Sequence, residues 1–416
     1  MIDDGAETAS GANMSTLNDF DIIVAGAGPV GSIAALALAR QGFSVALVGP
    51  PPKSDDQRTT ALMLPALDYL EELGLPRFSP EETAPLEVMR IIDATQRLVR
   101  SAPVTFRASE IGAERFGVNI PNIVLLRILQ EAVEAEARIS RFEVMVADWL
   151  IGDDRARAEL SDGRVVSARL CVAADGRASP AREAAGISVA KRDYPQSALV
   201  LNFAHSRGHG YVSTEFHTET GPCTQVPLPG DRSSLVWLVS PQMAVELAGL
   251  GDAELSARIE DRMQSVLGKV EVEPGRQIYP MSALLPSAMA ANRVMLVGEA
   301  AHVFPPIGAQ GMNLGIRDVS DLVEVVLSNR DDPGSPKALS AYRSARRVDV
   351  LARQTAVNSL NMALLSDLLP AQIVRSTGLG LLANISPLRE FVMREGMQPG
   401  SGFARIASGW RKQVRR

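Results

Sequence analysis

The apolar run Asp21-Ile-Ile-Val-Ala25 stops at Gly26-Ala27-Gly28-Pro29-Val30-Gly31, and the residues that follow, Ser32 to Arg40, are rich in alanine and leucine. Gly42 closes that helical pattern, and Val45 to Val48 is a second short apolar strand. Strand, tight turn, helix and strand make a βαβ unit, which needs a parallel sheet and a right-handed crossover. No other segment limits the fold as strongly, because parallel strands must be covered by helices on both faces. The glycine spacing adds a ligand. The first glycine permits the turn, the second lets a pyrophosphate reach the backbone, and the third brings helix and strand close together. A purely structural turn is the weaker alternative, since the pattern sits between a strand and a helix. At the end of the second strand an acid usually binds the adenosine ribose, but this chain has Val48-Gly49 there. Asp55 and Asp56 are the substitutes at hand. That departure weighs against a standard NAD site more than against FAD, which makes many other contacts.

A second strand–loop–helix lies near residue 300: Val294 to Val297, then Gly298-Glu299, a loop with Pro305, Pro306, Gly308 and Gly311, and a helical pattern starting near Asn313. Backbone N–H groups and the helix dipole converge on such a loop and favour an anion or an electron-rich ring. Between these two fingerprints, Thr60 to Leu73, Ile123 to Ile139 and Asp252 to Leu267 have helical spacing, and Arg169 to Ala173 is a buried strand ending at Asp175-Gly176. From Ala198 to Val239 the pattern changes to short strands, Leu199–Phe203, Ser213–His217, Thr224–Pro227 and Ser234–Val239, as antiparallel sheet requires. We therefore expect a discontinuous cofactor domain at 20–75, 108–190 and 276–335, and a substrate domain at 76–107 and 191–275. A helical region at 336–416 and a disordered leader at 1–19 complete the division.

Composition excludes several functions. A net charge of −6 gives no electrostatic support for nucleic-acid binding. Cys171 and Cys223 form neither a disulfide framework nor a metal spacing, and the four histidines are too dispersed for a metal cluster. The leader has no basic start or apolar stretch, so it does not resemble a signal peptide, and no apolar run is long enough to span a bilayer. A cytoplasmic protein is expected. The basic tail, with Arg405, Arg411, Lys412, Arg415 and Arg416, leaves peripheral contact with the inner face of the membrane open. Among single residues, Arg58 is either a pyrophosphate contact or a solvated loop residue. Ser179 before Pro180 fits an N-cap, and His302 reads as a hydrogen-bonded packing residue.

Gly26-x-Gly28-x-x-Gly31, Asp175-Gly176 and Gly298-Glu299, in this order, resemble the single-component (class A) flavoprotein monooxygenases, the group of para-hydroxybenzoate hydroxylase. Within that group the chain is most similar to the ubiquinone-biosynthesis hydroxylases, through Arg192 to Ala198, Glu215 to Pro222 and Leu388 to Met397. The resemblance implies an α/β fold: a Rossmann-like FAD-binding domain, an inserted antiparallel-sheet substrate domain and a helical C-terminal region. It implies bound FAD, NAD(P)H as a transient co-substrate, O2, and hydroxylation of an aromatic ring through a flavin C4a-hydroperoxide. Gly26, Ala27, Gly28, Pro29, Val30 and Gly31 would hold the pyrophosphate, with Arg58, Asn122, Asp175, Gly298 and Gly308 as further FAD contacts. The family's ribityl-binding Asp is here Glu299, so an extra methylene must be accommodated. Gln310, Gly311, Met312 and Asn313 match the loop under the flavin pyrimidine edge. Gly311, Met312 and Asn313, with Pro306, take the catalytic assignment.

The substrate ring would lie between the inserted sheet and the loop Pro305 to Gly308, with Tyr211, Phe216 and Trp237 as candidate walls or core residues. For a polyprenyl phenol, the segment Leu360 to Val392 would be an apolar entrance, a dock for a membrane or partner protein, or a packed helical cap. Other readings stay open: a hydroxylase of soluble phenols, aromatic acids or polyketides, a flavin reductase of prenyl double bonds, and a non-catalytic FAD-holding subunit of a biosynthetic complex.

Overall fold

A computed structural model describes residues 17–52, 56–95, 100–305, 310–347, 377–378, 380–382 and 384–397. Leu17–Ala25 lies at the centre of a sheet ordered Ala290–Ala291, Val294–Leu296, Val165–Ala173, Leu17–Ala25, Val45–Val48, Ile139–Phe142. The pairings around Leu17–Ala25 are parallel, and Ile22, Ile23 and Val24 are buried. Helices cover both faces of a parallel sheet, so its inner strands are apolar on both sides. The first strand also corrects the expected leader. Leu17, Asn18 and Asp19 pair with Val165, Val166 and Ser167, so the last residues of the 1–19 stretch are strand.

The helix Pro29–Arg40 is buried from Gly31 to Ala39. It packs against the sheet and against the helices Asn122–Ala135 and Gln310–Ser328. That position explains its alanines, since small side chains let three neighbours approach one helix.

Three of the expected helices are shorter than their patterns. Thr60 to Leu73 divides into a strand, Thr59–Met63, paired with Gly117–Pro121, and a helix, Leu64–Glu72, opened by Pro65. The β-branched pair Thr59-Thr60 favours the strand. The helix from Asn122 ends at Ala135, because Ile139 is needed opposite Val45. The helix from Asp252 ends at Arg262, just before Gln264 and Ser265 take positive φ.

The inserted sheet runs Val270–Val272, Val189–His205, Arg232–Val239, Gly221–Leu228, Val212–Thr218, Val88–Asp93, Val104–Arg107. Gln277–Pro286 also pairs along Val189–His205, which carries the sheet past the boundary expected at residue 276. The sheet is antiparallel except where Val212–Thr218 meets Val88–Asp93. Its outer face packs Leu199, Leu201, Phe203, Leu235 and Trp237 beneath the helices Pro241–Gly249 and Asp252–Arg262. Its inner face meets the cofactor domain. There Asn202 donates to the Gln57 carbonyl (3.2 Å), the Ser234 and Thr59 hydroxyls lie 3.0 Å apart, and Leu284 and Val303 form a β-bridge.

Near the C-terminus, residues 336–347 are helical. The helix Ser386–Met397 docks on the inserted sheet's edge, with Met393 against Val104, Phe106 and Phe116 and Arg389 donating to Glu110 (2.7 Å). Leu364, Leu365, Leu368, Leu369 and the tail from Phe403 lie outside the described residues. No helix among the described residues is long and apolar enough to cross a membrane.

Candidate functional site

The glycine turn divides its labour. Gly26 has φ +107°, and a Cβ there would collide with the Ala174 carbonyl. A Cβ on Gly31 would collide with the Gly26 carbonyl. These two glycines are required by close approach of backbone to backbone. Gly28 differs: it has extended backbone (φ −71°, ψ 178°), and a Cβ there would meet nothing within 4 Å. It caps the helix without a side-chain hydrogen bond and is followed by Pro29. The Val30 and Gly31 N–H groups thus belong to the first turn, which has no intrahelical acceptor. An open concavity at a bare helix N-terminus fits a pyrophosphate.

The missing acid at the end of Val45–Val48 has a steric reason. A Cβ on Gly49 would come within 2.8 Å of the Ala27 backbone nitrogen, so the strand end presses on the glycine turn. Asp56, one of the two candidate substitutes, sits in a polar cluster. Asp56 accepts from the Arg58 side chain (2.8 and 2.7 Å), and Asn122 donates to Asp56 (2.9 Å) and accepts from Thr60 (2.6 Å). Burial works to raise the Asp56 carboxyl, but the Arg58 and Asn122 hydrogen bonds outweigh it and hold it below the usual range. Arg58 lies over the Tyr279 ring, 5.4 Å from its centroid, at the seam between the two domains. Asp55 lies outside the described residues.

The fingerprint near residue 300 forms a short 3-10 turn, Gly298–Ala300, tied down from behind. Asp318 is fully buried: Oδ2 accepts from the Gly298 N–H (2.9 Å) and lies 2.6 Å from His302 Nε2, and Oδ1 accepts from Arg346 Nε (2.8 Å). Burial disfavours the Arg346 charge, but Asp318 and Asp321 outweigh that and keep the guanidinium protonated. His302 is buried and stacks on Phe304, so it packs, as expected. Gly298 touches the first helix: a Cβ there would meet Val30 at 3.2 Å. Glu299 points away from that contact and is half exposed, paired with Arg177 at 3.1 and 3.3 Å.

The helix of this fingerprint begins at Gln310, three residues earlier than the pattern near Asn313 implies. Asn313 uses its side chain to clamp the helix head to the strand Thr59–Met63, accepting from the Met63 N–H and donating to the Ala61 carbonyl, both at 2.8 Å. Gly311 leaves open space where a Cβ would be, and Met312 packs against the main core. Pro306 and Gly308 lie outside the described residues.

Asp175 follows the strand Val165–Ala173, two residues past its end. One carboxylate oxygen accepts from the Ala181 N–H (3.1 Å), while Oδ1 is buried without a partner. Burial raises its carboxyl above the ordinary range. Ser179 caps the following helix by accepting from the Arg182 N–H, as its position before Pro180 implies. The Arg182 guanidinium then donates to the Ala300 carbonyl (2.9 Å), tying this motif to the Gly298–Ala300 turn.

The candidate wall residues resolve differently. Phe216 and Trp237 lie in the outer core of the inserted sheet, and Tyr211 is 43% exposed with φ +58°. Phe216 and Trp237 therefore do not line the face toward the cofactor domain. Side chains alternate along a strand, so with Phe216 turned outward, Glu215 and His217 must share the inner face. They form a pair, His217 Nε2 to Glu215 Oε1, at 2.7 Å. The alternation was available in the sequence, but the direction of Phe216 was not. Asp318 and Arg346 were also missed, since their pairing spans segments with no shared pattern.

The open Gly28 and Gly311 positions, the two helix heads and the unpartnered Asp175 oxygen fit a large anionic cofactor with hydroxyl donors. Comparison with known proteins gives the same result. The FAD binding domain family model matches residues 19–356. Ubiquinone hydroxylase UbiL of Rhodospirillum rubrum is 32% identical over 397 residues, covering 91% of this chain and 89% of that one. The 3-demethoxyubiquinol 3-hydroxylase of Escherichia coli is 29% identical over 373 residues, covering 86% and 93%. Among solved structures, PqsL of Pseudomonas aeruginosa in complex with 2-aminobenzoylacetate superposes with a TM-score of 0.74 at 25% identity, covering 87% of this chain and 99% of PqsL.

Proposed function

The chain belongs to the FAD binding domain family and is an FAD-dependent monooxygenase, and from that premise we propose that it hydroxylates a polyprenyl-phenol intermediate of ubiquinone biosynthesis, using NAD(P)H and O2. The observation that carries this reading is similarity over nine-tenths of the chain to a protein named as a ubiquinone hydroxylase. The inner sheet face supports it. Ala198, Val200, Leu238, Met281 and Ala283 form an apolar cluster there with Tyr194, suited to an aromatic ring with a hydrocarbon tail. Bound FAD supplies the chemistry that the side chains cannot: reduction by a nicotinamide and delivery of one oxygen atom from O2.

In this reading the chain binds, orients and keeps water out. Gly26, Gly28 and Gly31 with the head of Pro29–Arg40 hold the pyrophosphate, and Arg58, Asn122 and Asp175 make polar contacts around it. N–H groups of Gly311, Met312 and Asn313 stabilise negative charge at the pyrimidine edge without reorganisation. Glu299, paired with Arg177, would be the residue to bind the ribityl chain. The inserted sheet closes over the ring and excludes water.

The test is to purify the protein, record its visible spectrum, and follow NADPH oxidation in air with and without a prenylated phenol. A flavin spectrum, phenol-stimulated oxidation and a hydroxylated product are expected. Full activity on small water-soluble phenols with none on prenylated ones would move the substrate to the soluble aromatic class. Bound flavin with no oxidation on any phenol would leave a cofactor-holding subunit as the better reading.

A further inference from the structure

The inner face of the inserted sheet carries an apolar cluster and, on a neighbouring strand, a polar pair made of a buried histidine and a partly buried glutamate. Glu215 and His217 flank Phe216 on the strand Val212–Thr218. Phe216 is sealed in the outer core, so the two polar residues point toward the cofactor domain. Their place relative to the cofactor loops follows from the register. Glu215 pairs with Ile91 on the parallel neighbour strand, and Ile91 shares an apolar cluster with Met89 and Met63. The Met63 N–H is held by Asn313 at the head of Gln310–Ser328. The pair therefore lies on the side of the sheet that faces that helix head.

The pair has a direction. Glu215 Oε1 is 2.7 Å from His217 Nε2, and Glu215 Oε2 accepts from the Thr224 hydroxyl at 3.5 Å. An ionised carboxylate only accepts, so the ring proton sits on Nε2 and the lone pair on Nδ1. Nδ1 is buried and has no hydrogen-bond partner. Leaving a buried acceptor unpaired is unfavourable, because it loses water and gains no donor. A carboxylate that fixes the tautomer of a histidine, whose other nitrogen is unpaired, is the arrangement of a general base. The other titratable groups on this face do not compete for Nδ1. Asp93, the neighbour of His217 on the parallel strand, accepts from Thr95 and Ser101. The Tyr194 and Tyr279 phenols lie on the far strands of the same face.

We propose that His217, oriented by Glu215, is the base that takes the hydroxyl proton of the bound phenol. The inference rests on the phenol-hydroxylase reading above and adds a catalytic residue to it. The phenol O–H bond breaks, its proton goes to Nδ1, and its electron pair stays on oxygen. The imidazolium is balanced by Glu215, and the phenolate enriches the ring carbons that accept oxygen. On release, His217 returns the proton to the product oxygen. A phenol O–H is also the donor that the unpaired Nδ1 lacks.

The experiment uses the flavin-loaded full chain and the variants His217→Gln, His217→Phe and Glu215→Gln, all checked for flavin content and circular dichroism. The first readout is binding of a prenylated nitrophenol, whose phenolate band reports ionisation in the site. The wild type is expected to bind it as phenolate at a pH where it is neutral in water, both His217 variants as neutral phenol, and Glu215→Gln as a mixture. The second readout is turnover. Loss of His217 should lower kcat about 10²-fold with little change in KM. The loss should shrink as pH rises toward the phenol's own ionisation near ~10. Equal ionisation and equal kcat in His217→Phe and wild type would overturn the inference alone. A flavin-loaded wild type that binds no phenol would overturn the hydroxylase reading and the inference with it.

Discussion

The two sides of the site are made of different material. The cofactor side is backbone: glycines at Gly26 and Gly31 pressed against carbonyls, an open Gly28, and two helix heads. The substrate side is a sheet whose chemistry lies in side chains that alternate in and out, Glu215 and His217 inward and Phe216 outward. At Gly26 and Gly31 a backbone site tolerates almost no change, because an added Cβ meets main chain. A side-chain site can be re-specified one residue at a time while the sheet beneath it stays the same. The difference shows why one fold can keep its cofactor and change its substrate.

The contrast can be broken first at Asp318, which supports the cofactor side from below. Asp318→Ala leaves the buried Arg346 without its main partner and frees the Gly298 N–H. We expect a loss of about 3–5 kcal/mol in denaturant unfolding, together with weak flavin retention. A loss below ~1 kcal/mol would mean that the turn holds itself. Gly31→Ala comes next. Its methyl group meets the Gly26 carbonyl, and overpacking of this kind costs about 1–3 kcal/mol. Loss of flavin in proportion to loss of stability is the expected signature, and an alanine variant with wild-type flavin content would contradict a backbone-built cradle.

A smaller effect has a defined sign. Burial raises the Asp175 carboxyl above its ordinary 3.8. A raised carboxyl stabilises the fold fully below the unfolded value and loses that contribution as pH rises through the folded one. Wild-type apoprotein therefore carries a penalty at neutral pH that Asp175→Asn lacks. We expect the variant to unfold at higher denaturant at pH 7, with the gain shrinking as pH falls toward 3.8. A constant difference across that range would point to lost hydrogen bonds rather than charge. The smallest effect compares the two sides directly. Burial pushes the Cys223 thiol up to about 12 and Cys171 well above its usual range, one in each sheet. Neither should react with a thiol reagent at pH 8 until the protein is unfolded. Faster reaction at Cys223 would show that the substrate sheet opens more readily than the cofactor sheet.

Much of the cofactor side was legible because its information is local. Strand, glycine turn and helix follow one another, and the spacing Gly26, Gly28, Gly31 carries its geometry with it. The same holds for the short strands of the inserted sheet and for Ser179 before Pro180. What was not legible depends on distant partners. Thr59–Met63 reads as helix until Gly117–Pro121 pairs with it. Nothing near Asp318 announces Arg346, and nothing in Glu215-Phe216-His217 says which face meets the core. The Glu299 side chain turns to Arg177, a partner on a different motif that spacing alone does not supply.

The order of the sheet also sets an order in time. Val294–Leu296 pairs with Val165–Ala173, and the whole run of strands from Val189 to Val272 lies between them in the chain. A chain made from its N-terminus presents those intervening strands before the strand that completes the cofactor sheet. The strands of the substrate sheet from Val189 to Pro286 pair with one another and precede Val294, so they can form early, whereas the cofactor cradle waits for a contact of longer sequence separation. Flavin is then the last component to arrive, and a ribosome stalled before Val294 would hold a finished roof over an unfinished floor.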